Sequence, residues 1–82
     1  MYFVTTKRAG YSLFSMTPSE RAAIALTEDQ KRVHVLERTA DAWTVRHDWP
    51  VEEHSHTELM TRLATCEEPA SVEELVRRAL GT

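Results

Sequence analysis

The chain has 82 residues, 41% hydrophobic and 28% charged, with a formal net charge of −3. That is enough for one domain over residues 1–82 with a thin core, and the composition excludes a disordered chain or a flexible linker. Residues 1–51 hold seven bases and six acids, residues 52–82 three bases and seven acids, a balance that disfavours phosphate binding through the C-terminal part and favours a basic partner there.

Tyr2-Phe3-Val4-Thr5-Thr6 is β-branched and aromatic and reads as a strand. Lys7-Arg8-Ala9-Gly10 reads as a turn, and Tyr11 to Met16 as a second strand, giving an N-terminal hairpin. Thr17 to Gln30 supports two readings. Thr17-Pro18-Ser19-Glu20 has the residues of a helix start, with a Thr cap, Pro at the first position and Glu at the third, so a short helix over 18–28 is favoured. Ala22, Ile24 and Leu26 also alternate as a strand would, and Val33 and Val35 would then answer Ile24 and Leu26 across a hairpin.

Arg32 to Arg38 reads as a strand, Thr39-Ala40-Asp41 as a tight connection, and Ala42 to Trp49 as the longest strand. Its alternation sets Trp43, Val45, His47 and Trp49 on one face, with Ala42, Thr44, Arg46 and Asp48 on the other. Pro50 should end it, having no N–H for a ladder. Ser55 and Glu58 form a capping box that opens a helix to about Cys66. Its apolar side is Leu59, Met60, Leu63, Ala64 and Cys66.

Glu67-Glu68-Pro69-Ala70 breaks the chain before a second helix. Ser71 and Glu74 cap that helix, and Gly81 fits its left-handed end. Val72, Leu75, Val76, Ala79 and Leu80 make one apolar stripe. Glu73–Arg77 and Glu74–Arg78 stand four apart with the acid first, which suits both pairing and the helix dipole. The expected fold is α+β: an antiparallel sheet of about four strands with two C-terminal helices on one face. Trp43, Val45 and Trp49 are the expected floor beneath Val72, Leu75 and Val76.

Leu36 to Leu80 resembles the small peptide-recognition domains of the pyrroloquinoline-biosynthesis D type, through Ser71-Val72-Glu73-Glu74-Leu75-Val76. That family's glycine turn is missing at Ala40-Asp41, and the N-terminal third has no counterpart. The resemblance implies peptide binding as one possible role and transfers no site residue.

No nucleophile elbow, P-loop, dinucleotide fingerprint or zinc-protease motif occurs, so no enzyme, catalytic residue or cofactor is expected. Cys66, the one cysteine, allows no intramolecular disulfide and points to a reducing cytoplasm. Its place on an apolar helix position suits a small hydrophobe better than a nucleophile. The opening residues lack a signal-peptide core, and the run Ala22–Leu26 is too short to cross a membrane.

Three functional readings follow, in order. The first is a non-enzymatic protein-interaction module, an accessory or inhibitor-type regulator, binding a protein or peptide or pairing as a homodimer through an edge strand. Its candidate contact residues are Tyr2, Phe3, Tyr11, Phe14, Arg32, Arg46 and Trp49. The second is a nucleic-acid-binding regulator of winged-helix type, using Arg32 and Arg46 with Lys7 or Arg8. The third is a metal-dependent role through His47, His54, His56 and Cys66, although the spacing has no C-x-x-C or H-x-x-x-H and a metal site is not the expectation.

Overall fold

A computed structural model describes residues 2–4 as backbone, and residues 10–64 and 69–81 in full. They form five strands and two helices: β1 (Tyr2–Val4), β2 (Tyr11–Met16), β3 (Ala22–Thr27), β4 (Arg32–Thr39), β5 (Ala42–Pro50), α1 (His56–Leu63) and α2 (Val72–Leu80). The strands pair antiparallel in the order of the sequence, β1-β2-β3-β4-β5. The α+β class, the antiparallel sheet and the two C-terminal helices are as expected. The sheet has a fifth strand, and β5 runs one residue further, to Pro50. The expected turn at 7–9 and the expected end of α1 at Cys66 lie outside the described residues.

The fifth strand replaces the helix favoured over 18–28. Thr17 is the pivot. Its carbonyl accepts from the Glu20 N–H at 2.9 Å, closing a β-turn, and its N–H donates to the Ala22 carbonyl at 3.0 Å. Its buried hydroxyl accepts from the Ala22 N–H at 3.3 Å. Ten residues on, the device recurs: Gln30 N–H reaches the Thr27 carbonyl, and Thr27 Oγ1 accepts from the Arg32 N–H at 3.2 Å. Glu20 and Gln30 both take left-handed φ, 60° and 59°. A proline suits the second position of a β-turn for the same reason that it suits the first turn of a helix, so Thr-Pro-Ser-Glu announces either.

Each face of the sheet has its own apolar layer. On the first face, Ala22, Ile24, Val33 and Val35 meet Leu59, Met60 and Leu63 of α1 and Val72, Leu75 and Ala79 of α2. On the second, Phe14, Met16, Ala23, Ala25 and Leu36 form a smaller cluster edged by Tyr11 and Trp43. Phe14 of β2 and Trp43 of β5 meet edge to face at 5.6 Å between ring centres. Two strands lie between theirs, so in a flat sheet the rings would stand roughly 14 Å apart. The sheet therefore coils over its second face.

Two extra residues help it bend. Ser12 is extra on β2, between Tyr11 opposite Thr27 and Leu13 opposite Leu26. Its hydroxyl sits 3.2 Å from the Thr27 carbonyl and 3.4 Å from that of Leu26. Arg46 is extra on β5, between Val45 opposite Leu36 and His47 opposite Val35.

This second bulge corrects the expected floor under the helices. Before it, Trp43 and Val45 belong to the second face, with Leu36. After it, His47 and Trp49 belong to the first, opposite Val35 and Val33. Of the three expected floor residues only Trp49 packs on the helix-side core. The floor itself is β3 and β4, and Val45 is 47% exposed.

The serine half of each expected capping box is in place, while the Glu58 carboxylate pairs with Arg62. Ser55 accepts from Glu58 N–H, and Ser71 from Glu74 N–H. The Glu74 carboxylate reaches back one residue further than a capping box, to the Ala70 N–H at 2.7 Å. That bond, with the Arg78 guanidinium behind it, holds the Glu74 carboxyl below the usual range. Gly81 closes α2 at φ 77°, its N–H on the Arg77 and Arg78 carbonyls.

Two stability outcomes follow. Ala40 holds φ 55° between β4 and β5, a conformation that costs a residue with a Cβ about 1 kcal/mol. Ala40→Gly should stabilise the fold by roughly 0.5–1 kcal/mol in urea denaturation, since glycine meets no such strain. Leu75, 1% exposed beneath α2, should cost about 2–5 kcal/mol as Leu75→Ala in the same measurement.

Candidate interaction surface

The candidate contact residues do not gather in one place. β1 carries Tyr2 and Phe3, opposite Met16 and Ser15 in register; their side chains lie outside the described residues. Phe14 is 2% exposed and belongs to the core. Tyr11 is half-buried, and its hydroxyl shares a hydrogen bond of 2.9 Å with His34 Nδ1. The other nitrogen, Nε2, lies 3.3 Å from Asp48 Oδ1. Arg32 Nε binds the same carboxylate oxygen at 2.7 Å. This chain of polar contacts ties β2, β4 and β5 together across the second face. Burial, with Asp48 nearby, raises the Tyr11 phenol above its ordinary value, so it stays protonated.

Arg46 points the other way. Its guanidinium bridges Glu37 on β4 and Glu73 on α2, the latter at 2.8 Å. The bulge thus lets β5 clamp the start of α2. Glu73, expected to pair with Arg77, is joined to the sheet. Arg32 and Arg46, the proposed cationic patch, both face carboxylates, and Lys7 and Arg8 lie outside the described residues.

Trp49 is half-buried between two histidines. His47 stacks on it at 6.0 Å, and His54 meets it edge-on at 6.1 Å. His54 Nδ1 is buried with no hydrogen-bond partner. His56 faces elsewhere: it is 8% exposed, and its Nε2 lies 3.3 Å from Ser15 Oγ on β2. Among the described residues no three of His, Cys, Asp and Glu come together as a metal would need. Cys66 lies outside them.

A cleft of about 170 Å³ opens between the β3–β4 end of the sheet and the start of α2, with Arg21, Glu37, Arg38, Pro69 and Ser71 in its wall. Small-molecule sites usually begin at around 300 Å³, so the cleft is small for a substrate.

Among the described residues, what stands open is the outer edge of β5. The strand has nine residues and one neighbour, β4. Ala42, Thr44, Val45 and Arg46 are all exposed along it. The opposite edge, β1, has three residues. Val45 is the residue that sequence reasoning missed, because unbroken alternation would have buried it. Nothing local marks the bulge: the extra residue is an arginine, without the glycine that often signals one.

Comparison with known proteins finds no family model, no curated protein and no solved structure that matches the chain.

His56 gives the surface's supporting layer a pH dependence. Burial lowers its pKa from the ordinary value, against a weaker opposing pull from the Ile24 carbonyl. It is also the first residue of α1, where the helix dipole disfavours a cation. The unfolded chain therefore takes up the proton first as pH falls. Stability is full above about pH 6.5, the unfolded histidine value, and declines below it toward the folded value. Denaturation midpoints measured from pH 7.5 down to 5 should fall, and His56→Gln should flatten that slope.

Proposed function

We propose that this chain is a small, non-enzymatic protein-interaction module, an accessory or inhibitor-type regulator of a larger partner in the cytoplasm. The observation that carries the reading is the outer edge of β5, which no described strand pairs and along which Val45 is exposed. A free edge offers main-chain hydrogen bonds to an extended segment, and exposed apolar side chains beside it provide the anchors. Each candidate aromatic with a described side chain is at least half-buried within the fold, so the exposed part of β5 carries the contact. Size supports the same reading. Among the described residues no helix is long and apolar enough to cross a membrane.

The test is a benzophenone amino acid placed at position 45 and irradiated in host extract, with the same group at Asp29 as control. A distinct protein should be captured from position 45 and not from position 29. Equal capture from both positions, or turnover of a small molecule by the purified chain, would overturn the reading. Duplex DNA or RNA titrated at low salt should give no shift; salt-dependent binding would favour the nucleic-acid role. Metal analysis of the purified protein should find no stoichiometric ion.

A further inference from the structure

We propose that the outer edge of β5 is filled by a second copy of this chain, the two β5 strands pairing antiparallel about a two-fold axis at Thr44. The inference rests on the interaction reading above and names the occupant of that same edge.

The geometry of β5 selects the register. Strands that continue one sheet must present directly opposed side chains on the same face. Trp43 and Val45 lie on the second face with Leu36, while Ala42 and Thr44 lie on the first with Thr39 and Glu37. Arg46 reaches the first face as well, since it binds Glu73 of α2. A two-fold axis at Thr44 sets Thr44 against Thr44, Trp43 against Val45, and Ala42 against Arg46. All five positions from Ala42 to Arg46 then match in face. Moving the axis to Val45 sets Trp43 against His47, which the bulge has turned to the other face. Moving it to Trp43 runs the pairing into the turn at Asp41. A shift by half a step opposes residues of opposite faces. The register at Thr44 is therefore the longest that β5 can form with itself.

The side chains agree with it. A tryptophan set against a β-branched residue and a threonine set against a threonine are favourable cross-strand pairs. Val45, 47% exposed in the single chain, comes under the Trp43 ring of the other copy, and the reverse holds by symmetry. Charges match at both ends of the run. Asp41 of one copy comes beside Arg46 and His47 of the other. The segment Ala42–Val45 carries no charge, so no like pair opposes across the axis. The bulge at Arg46 then ends the ladder, which limits the pairing to one partner and one length.

Sedimentation equilibrium of the full chain should give twice the 9.4 kDa chain mass in the micromolar range. Val45→Lys should sediment as a monomer with an unchanged circular dichroism spectrum. For the register, Thr44→Cys in a Cys66→Ser background should form a disulfide-linked dimer on mild oxidation. Ala42→Cys in the same background should not, because the two copies of residue 42 stand four residues apart along the ladder. A chain that stays monomeric to millimolar concentration overturns the proposal, as does a linked dimer from Ala42→Cys but not from Thr44→Cys. A monomer whose position 45 still captures a different protein overturns self-pairing alone and leaves the interaction reading standing. A dimer with no other partner supports self-pairing and removes the regulator role.

Discussion

β5 holds one residue more than the stretch of β4 opposite it, and much of the molecule follows from that mismatch. Side chains on a strand change face at every step, so an extra residue reverses the assignment of everything beyond it. Trp43 and Val45 are turned away from the helices, and His47 and Trp49 toward them. The extra residue is itself a long cation. Arg46 reaches across to Glu37 and Glu73, so the point where the ladder loosens is also where the sheet grips the second helix. Exposed ion pairs are each weak, on the order of 1 kcal/mol or less. The value of this one is positional, since it ties β5 to the first turn of α2.

With the sheet bent, a chain this short can serve two faces. The helices cover one side with Leu59, Met60, Leu63, Val72, Leu75 and Ala79. Among the described residues nothing helical covers the other. There the strands curl until side chains from β2 and β5 touch, and Tyr11, His34 and Asp48 join in a line across the opening. Small residues make the bend possible. Ala22 is buried on the first face of β3 and Ala23 and Ala25 on the second, so the central strand is thin enough for both layers to close on it.

The ends of the elements are the part of the fold that is written locally. Ser55, Ser71, Glu74 and Gly81 each do in the structure nearly what their type and spacing indicate, because a cap is a matter of a few consecutive residues. β2, β4 and most of β5 are legible for a similar reason. Two features are not. The stretch from Thr17 to Glu20 carries a signal shared by helix starts and β-turns. Only the distant partners of Ile24, on β2 and β4, decide between them. The bulge at Arg46 depends on pairing with β4 and leaves no mark on its own strand. The aromatic and cationic character that marks the candidate contact residues is used inside the fold: Phe14 in the core, Trp49 against the helices, Arg32 and Arg46 on neighbouring carboxylates. An exposed valine has no chemical signature in a sequence, so the open edge could be located only after the strands were in place.

The order of the strands has a kinetic consequence. Each strand pairs with the one just before or after it in the chain, and the turns at Thr17 and Thr27 are closed by hydrogen bonds among residues at most five apart. Little entropy is lost in closing such short loops, and folds with mostly local contacts cross their barrier quickly. The sheet can thus assemble as a series of hairpins, each laying down an edge for the next. The helices follow the sheet in the chain and meet it over longer separations. They cover Ile24, Val33 and Val35 on the first face, so a sheet without its docked helices would present these residues to water, the kind of surface on which aggregation starts.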